Sequence, residues 1–321
     1  MSRSFAGVIA AVACLPMLAA GPLHAQTFPS QPFRMIVPFA AGGGSDILAR
    51  MIAEPLSKSL GQPIVVENKP GGGATIGADL VAKSPPDGYT WLFTTAGPQI
   101  TNPYLMGKLP YDPFNDFAPV AMLAKSVNVL VVTPSLPAKT VRELIDYAKA
   151  HPGTLNYSSS GVGASSHLAS ELFRQMAGVD IIHVPYRGTG PSTTDLLSGN
   201  VQMAIDSAST LLPHIKSGGL RALGFATLER QPAMPELPPI ADTLPGFDGS
   251  SINYISVRAG TPQPIVDRLN REMNAVISDP VISAKMTEIA IMPIVETQAD
   301  LIKRIADEQQ KWKRVIERMA K

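Results

Sequence analysis

The chain has 321 residues, 45% hydrophobic, 17% charged and 6% aromatic, with Lys+Arg 27 against Asp+Glu 26. That hydrophobicity excludes bulk disorder, and the near-zero charge without a basic stripe or polybasic run excludes a nucleic-acid surface or an electrostatic membrane anchor. The length suits two ordinary domains, and 30 prolines with 26 glycines call for many tight turns.

The N-terminus follows its own logic. Arg3 precedes an uncharged, largely apolar run from Phe5 to Ala20, and Gly21-Pro22-Leu23-His24-Ala25 follows. This pattern describes a secretory signal peptide over residues 1–25, cut after Ala25. The apolar stretch is shorter than the ~20 residues that span a bilayer. The single cysteine, Cys14, lies within it. The chain after the cut then has no cysteine, so it must rely on its core rather than on disulfides in an oxidising compartment.

After the leader, the recurring unit is strand, glycine turn, helix. Phe33 to Phe39 reads as a buried strand, Ala40 to Ser45 as a glycine-rich turn, and Asp46 opens a helix whose apolar residues recur at Ile47, Leu48, Met51, Ile52, Leu56 and Leu60. Gly61 suits its C-cap, and Pro55 predicts a kink. Strands are expected at Ile64–Glu67, Tyr89–Thr94, Asn128–Val132, Ile181–Val184 and Val201–Ile205, with a helix over Thr75–Lys83. Thr140-Val141-Arg142-Glu143 is a capping box ahead of the helix ending at Ala150. Ser165 or Ser166 is expected to cap the helix that runs through Met176. Thr261-Pro262 starts another helix, and an amphipathic helix from Asp300 to Met319 closes the chain. This alternation implies mostly parallel sheets covered on both faces, with ligands beyond the carboxyl ends of the strands.

Two turns carry chemistry. In Phe39-Ala40-Ala41-Gly42-Gly43-Gly44-Ser45-Asp46, a helix start offers unpaired N–H groups and a favourable dipole. Gly43 and Gly44 allow close approach, and Ser45 adds a hydroxyl. A carboxylate or phosphate fits this; the alternative is a plain turn capped by Ser45 or Asp46. In Ser158 to His167, Ser160, Gly163, Ser165, Ser166 and His167 repeat the arrangement, with an ordinary N-cap as the alternative. Neither turn has P-loop or Gly-x-Gly-x-x-Gly spacing, so no nucleotide cofactor is expected. The histidines show no metal-ligand spacing, and no metal is expected. A serine hydrolase using Ser160 or Ser165 with His167 is disfavoured, because Gly-x-Ser-x-Gly is absent. Asp206, at the end of an apolar strand, can accept from a ligand ammonium or amide or cap the next segment. Tyr186 can wall the cleft, and Arg187 can supply charge or sit on the surface.

Read together, these segments resemble the Bug family, the periplasmic receptors of tripartite tricarboxylate transporters. The resemblance rests on Ile36-Val37-Pro38-Phe39 with Gly42 to Arg50, Val65 to Gly71, Pro86 to Thr90, Leu109 to Pro113, Ser166 to Ala169, Val184 to Gly188, Ala259 to Pro262 and Lys311-Trp312. It implies a two-lobed periplasmic-binding fold, type II-like, with lobe 1 over 26–126, lobe 2 over 127–249, and 250–321 returning to lobe 1. It implies that the turns Phe39–Asp46 and Gly161–His167 hold a small organic carboxylate, which a monomeric receptor passes to a two-component membrane permease. A signalling receptor of the same fold is the alternative. Two departures stand out. Ser45 occupies a place where many relatives carry Thr. The stretch Ile252 to Arg258 lacks the Trp and Gly-Leu-Phe run usual before Ala259-Gly260-Thr261-Pro262.

Overall fold

A computed structural model describes residues 28–319; the expected signal peptide and Cys14 lie outside them. The first lobe is built from β1 (Phe33–Val37), α1 (Gly44–Leu60), β2 (Ile64–Asn68), α2 (Thr75–Ala82), β3 (Thr90–Thr94), α3 (Asn102–Leu105) and β4 (Phe117–Ser126). The chain then crosses at Val127 into β5 (Asn128–Val132), α4 (Val141–Ala150), β6 (Asn156–Ser159), α5 (Ser165–Ala177), β7 (Ile182–Pro185), α6 (Thr189–Ser198), β8 (Met203–Ser207), α7 (Ala208–Lys216) and β9 (Arg221–Phe225). It returns through β10 (Ser251–Arg258), α8 (Gln263–Ser278), α9 (Pro280–Glu288), β11 (Ile291–Pro293) and α10 (Gln298–Met319). Among the described residues no helix is long and apolar enough to cross a membrane.

Two sheets result. One has the order β11-β4-β10-β3-β1-β2, the other β7-β6-β8-β5-β9. Successive side chains turn to opposite faces, and this explains how each is covered. Phe33, Met35 and Val37 of β1, with Trp91 and Phe93 of β3, pack on α1 and α8, while Ile36 and Leu92 face α2. In the second sheet Leu130, Val132, Tyr157 and Ile205 face α4 and α5. Val129, Val131 and Ala204 face α6 and α7. Each such fully buried Leu, Ile or Val contributes about 1.5–3 kcal/mol.

The expectation of mostly parallel sheets needs correction. β10 runs antiparallel to both β3 and β4, and β5 runs antiparallel to both β8 and β9. The reason is the crossing itself. These two strands enter their sheets from the opposite lobe, so they run against strands fed by local βα units. The crossings lie side by side, with Ser251 paired to Ser126 and Asn128 Nδ2 donating to the Gly249 carbonyl at 2.8 Å. α1 continues unbroken through Pro55.

The capping box at α4 forms in its first half only. Thr140 Oγ1 accepts from Glu143 N, while the Glu143 carboxylate reaches one residue further back, to Lys139 N. The caps expected at the two chemistry-bearing turns do not form. The N-caps are Gly43 for α1 and Ala164 for α5, and neither makes a side-chain capping bond. Ser165 is the first helical residue of α5 and Ser45 the second of α1, so neither hydroxyl stands at the N-cap position.

Candidate functional site

α1, α5, α6 and α7 begin around one cavity between the lobes. From the first lobe Phe39, Gly43, Gly44, Ser45 and Thr95 form its wall; from the second come Ser160, Ala164, Ser165, Thr189, Asp206 and Ser207. Ser126, Asn128, Ser251 and Asn253, at the two crossings, form the floor. The N-caps of the four helices are Gly43, Ala164, Gly188 and Ser207, and none makes a side-chain capping bond. The first-turn N–H groups left free there and the dipole ends favour an anion, although Ala208 N at the start of α7 is already taken by the Val127 carbonyl at 3.0 Å. Among the described residues no Lys, Arg or His lines the cavity.

The lobes are in contact across it. A methyl group added at Gly44 would land on Ser207 Oγ and lie 2.9 Å from Ser207 Cβ. Thr101 Oγ1 donates to the Gly163 carbonyl at 2.9 Å. Gly163 has φ +79°, and a Cβ there would meet Asn102 Oδ1 at 2.6 Å, so both its conformation and its neighbour require glycine. So closed, the cavity has about 40 Å³ of room. A wider chamber of about 370 Å³ adjoins it past Phe39, Ser160 and Ala164.

Of the residues expected to meet ligand, Phe39, Gly43, Gly44, Ser45, Ser160, Ser165 and Asp206 are brought together on the wall. Asp46, Gly163, Ser166, His167 and Tyr186 are not. Asp46 points away from the cavity and ties down the first turn. Its carboxylate accepts from Gly42 N at 2.9 Å, Arg50 Nε at 2.9 Å and Asn68 Nδ2 at 3.0 Å. Burial opposes its charge, but these partners hold its pKa below the usual carboxylate value.

The second turn is braced in the same way. Ser166 is fully buried, and its Oγ accepts from Ser160 N at 2.9 Å and pairs with Ser160 Oγ at 2.8 Å. His167 Nδ1 accepts from Gly163 N at 3.2 Å, and its ring stacks on His183, 4.2 Å between centroids. His167 is therefore engaged with a backbone amide rather than with Ser160 or Ser165. His183 Nε2 pairs with Ser159 Oγ at 2.6 Å. Burial, followed by the neighbouring His167, pushes the His183 pKa down to about 4, and burial lowers that of His167. Tyr186 donates to Asp195 at 2.6 Å and, with Arg187, walls the outer chamber.

Thr95, Ser126, Asn128, Thr189, Ser207, Ser251 and Asn253 were not anticipated. Ser251 and Asn253 belong to β10, which contains the stretch that departs from the family pattern. That departure was the one available signal for them. Among the described residues no group of three or more His, Cys, Asp or Glu is gathered to hold a metal ion.

Two lobes joined by two crossings, with helix N-termini converging on the cleft between them, define a solute-binding receptor of the periplasmic-binding class. The family model described as "Tripartite tricarboxylate transporter family receptor" matches residues 48–320, and the chain belongs to that family. It is 37% identical to the protein BugT of Bordetella pertussis (strain Tohama I) over 299 residues, covering 92% of each chain. The solved structure of R. palustris Rpa4515 with adipate is 37% identical with TM-score 0.88, covering 90% of this chain and 97% of that one. MatC (Rpa3494) from Rhodopseudomonas palustris with bound malate is 32% identical with TM-score 0.84, covering 90% and 100%.

Proposed function

We propose that this chain captures a small organic carboxylate in the periplasm by closing its lobes, and delivers it to a two-component membrane permease. The observation that carries this reading is the convergence of four uncapped helix starts on a cavity without a cationic side chain. Such a cavity takes an anion through hydrogen-bond donors rather than through a cation. The carboxylates named with the two structural neighbours, adipate and malate, support the choice of a carboxylate over other anions.

In this mechanism the ligand first meets Gly43, Gly44 and Ser45 at the start of α1. Closure then adds Ser160 and Ser165 and excludes water, which strengthens each hydrogen bond as the local dielectric falls. Gly163, Ser166 and His167 position the second turn, Asp46 positions the first, and Tyr186 borders the path past Phe39. The closed surface is what a membrane partner reads. The receptor works as a monomer, without a cofactor or metal, and performs no catalysis. The leader read at residues 1–25 takes it to the periplasm.

The test is thermal unfolding of ligand-stripped protein against a panel of mono-, di- and tricarboxylates and inorganic phosphate. An acid present at 100 times its dissociation constant adds ~2.7 kcal/mol of stability. A shift with phosphate and none with any carboxylate would overturn the reading, as would no shift with any of them.

A further inference from the structure

Among the described residues Asp206 is the one ionisable side chain on the cavity wall. It lies on β8, the central strand of its sheet, and is 2% exposed. Its Oδ1 accepts from Ser207 N at 2.7 Å and from Thr189 Oγ1 at 3.1 Å. Its Oδ2 is buried and has no hydrogen-bond partner. A buried carboxylate oxygen without a donor is costly, and an anionic ligand entering the same cavity makes it more so.

Among the described residues no side chain nearby compensates. The titratable groups on the elements packed around Asp206 turn elsewhere. Asp46 of α1 binds Gly42 and Asn68, together with Arg50. On α5, His167 binds Gly163, and Glu171 binds Tyr157 and Arg174. Asp195 of α6 accepts from Tyr186, and His214 and Lys216 sit in the last turn of α7. β5 and β10 present Asn128, Ser251 and Asn253 to the cavity. Burial therefore dominates the carboxyl and raises its pKa to about 6, against the pull of its two hydrogen bonds.

We infer that Asp206 enters the complex as the neutral acid and donates from Oδ2 to a carboxylate oxygen of the ligand, so that capture takes up one proton. The inference deepens the carboxylate reading and rests on it. The balance is simple. Solvent supplies one proton to Asp206, one O–H bond forms, and the ligand stays ionised. Two carboxylates sharing a dry site cannot both keep their charge, so the helix starts stabilise one charge and the proton removes the other. Asp206 thereby changes from a repulsive neighbour into a donor, and it selects ligands with an acceptor oxygen at that wall.

The test titrates adipate and malate calorimetrically into the ligand-stripped chain between about pH 6.5 and 8.5, where both acids are fully ionised. The dissociation constant of the acid that binds should rise about tenfold per pH unit. Two buffers of different ionisation heat should return uptake of about one proton per ligand. Asp206→Asn, whose Nδ2 offers a donor that does not titrate, should bind with a pH-flat constant. A flat constant in the unmutated chain, or no proton uptake, overturns the inference and leaves the carboxylate reading standing. Loss of binding in a folded Asp206→Asn chain does the same, because it makes Asp206 an acceptor. If that variant does not fold, the slope and proton count of the unmutated chain decide. No heat with either acid at any pH, with no melting shift across the carboxylate panel, removes both.

Discussion

Helices α4 and α9 begin in one way, and α1 and α5 in another. Thr140 caps α4, and the Asp279 carboxylate caps α9 through Val281 N and Ile282 N. Both capped starts are away from the cleft. The starts of α1 and α5 keep their first-turn amides free of side-chain caps, and both stand on the cavity wall. Every α-helix begins with the same unpaired donors. A start satisfied by its own side chain is closed to ligands. A start left open over a cavity, and braced from behind by residues such as Asp46 or Ser166, is available to an anion from outside.

The sharpest way to break this contrast is to give α1 a cap of its own. Gly43 has an extended N-cap conformation, and a Cβ there meets nothing closer than 3.5 Å. In Gly43→Asp the new carboxylate should take the donors a ligand needs and repel it. Like-charge juxtaposition costs several kcal/mol, so carboxylate affinity should fall about a thousandfold, with thermal stability unchanged or slightly raised. Calorimetric titration together with the melting point of the ligand-free protein measures both. Retained affinity would mean that the start of α1 does not hold the ligand.

A smaller loss is expected from Gly44→Ala, which leaves the amides free but drives a methyl into Ser207 Oγ when the lobes meet. Overpacking of this kind costs about 1–3 kcal/mol, so affinity should drop roughly tenfold to a hundredfold. Small-angle scattering should show a more open shape in the presence of ligand. Ser165→Ala removes one hydroxyl from the second open start. Loss of a hydrogen bond to a charged group should weaken binding by about tenfold or more. Thr140→Ala is the complementary case: it should cost about 1 kcal/mol of stability in a denaturant melt and leave affinity untouched.

The smallest effect concerns the packing beneath the α5 start. His183 is held neutral, its pKa pushed down to about 4 from an unfolded value near 6.5. The unfolded chain therefore binds the proton more readily. The stability this site contributes is complete above pH 6.5 and is lost as pH falls from there toward 4. After allowing for solvent screening at a half-buried ring, the loss is on the order of 1 kcal/mol. Melting curves across that window should fall more steeply for the natural chain than for His183→Gln; parallel curves would remove His183 as the cause.

Much of the architecture was legible along the chain. The apolar run at Phe33–Val37 and the helical recurrence from Ile47 to Leu60 depend on neighbours one to four residues apart, and the elements formed where those patterns stand. The glycine turns before α1 and α5 were legible for the same reason, and they carry Gly43, Gly44, Ser45, Ser160 and Ser165 to the wall. His167 and Tyr186 could not be assigned locally. Each lies within a few residues of the wall, and only the fold decides that one ring turns to Gly163 and the other to Asp195.

The sequence by itself determined the α/β alternation, the glycine turns before α1 and α5, and the family, because periodicity, turn chemistry and ordered motifs are written in local residue order; that the helix starts at those turns stay uncapped was decided by the fold. The tertiary structure decided which starts converge, which strands run backwards through each sheet, and that Ser126, Asn128, Ser251 and Asn253 share one floor. It also left one oxygen of Asp206 without a donor. These outcomes follow from two chain crossings that join residues more than a hundred positions apart, and no local pattern encodes which distant neighbour a side chain will meet.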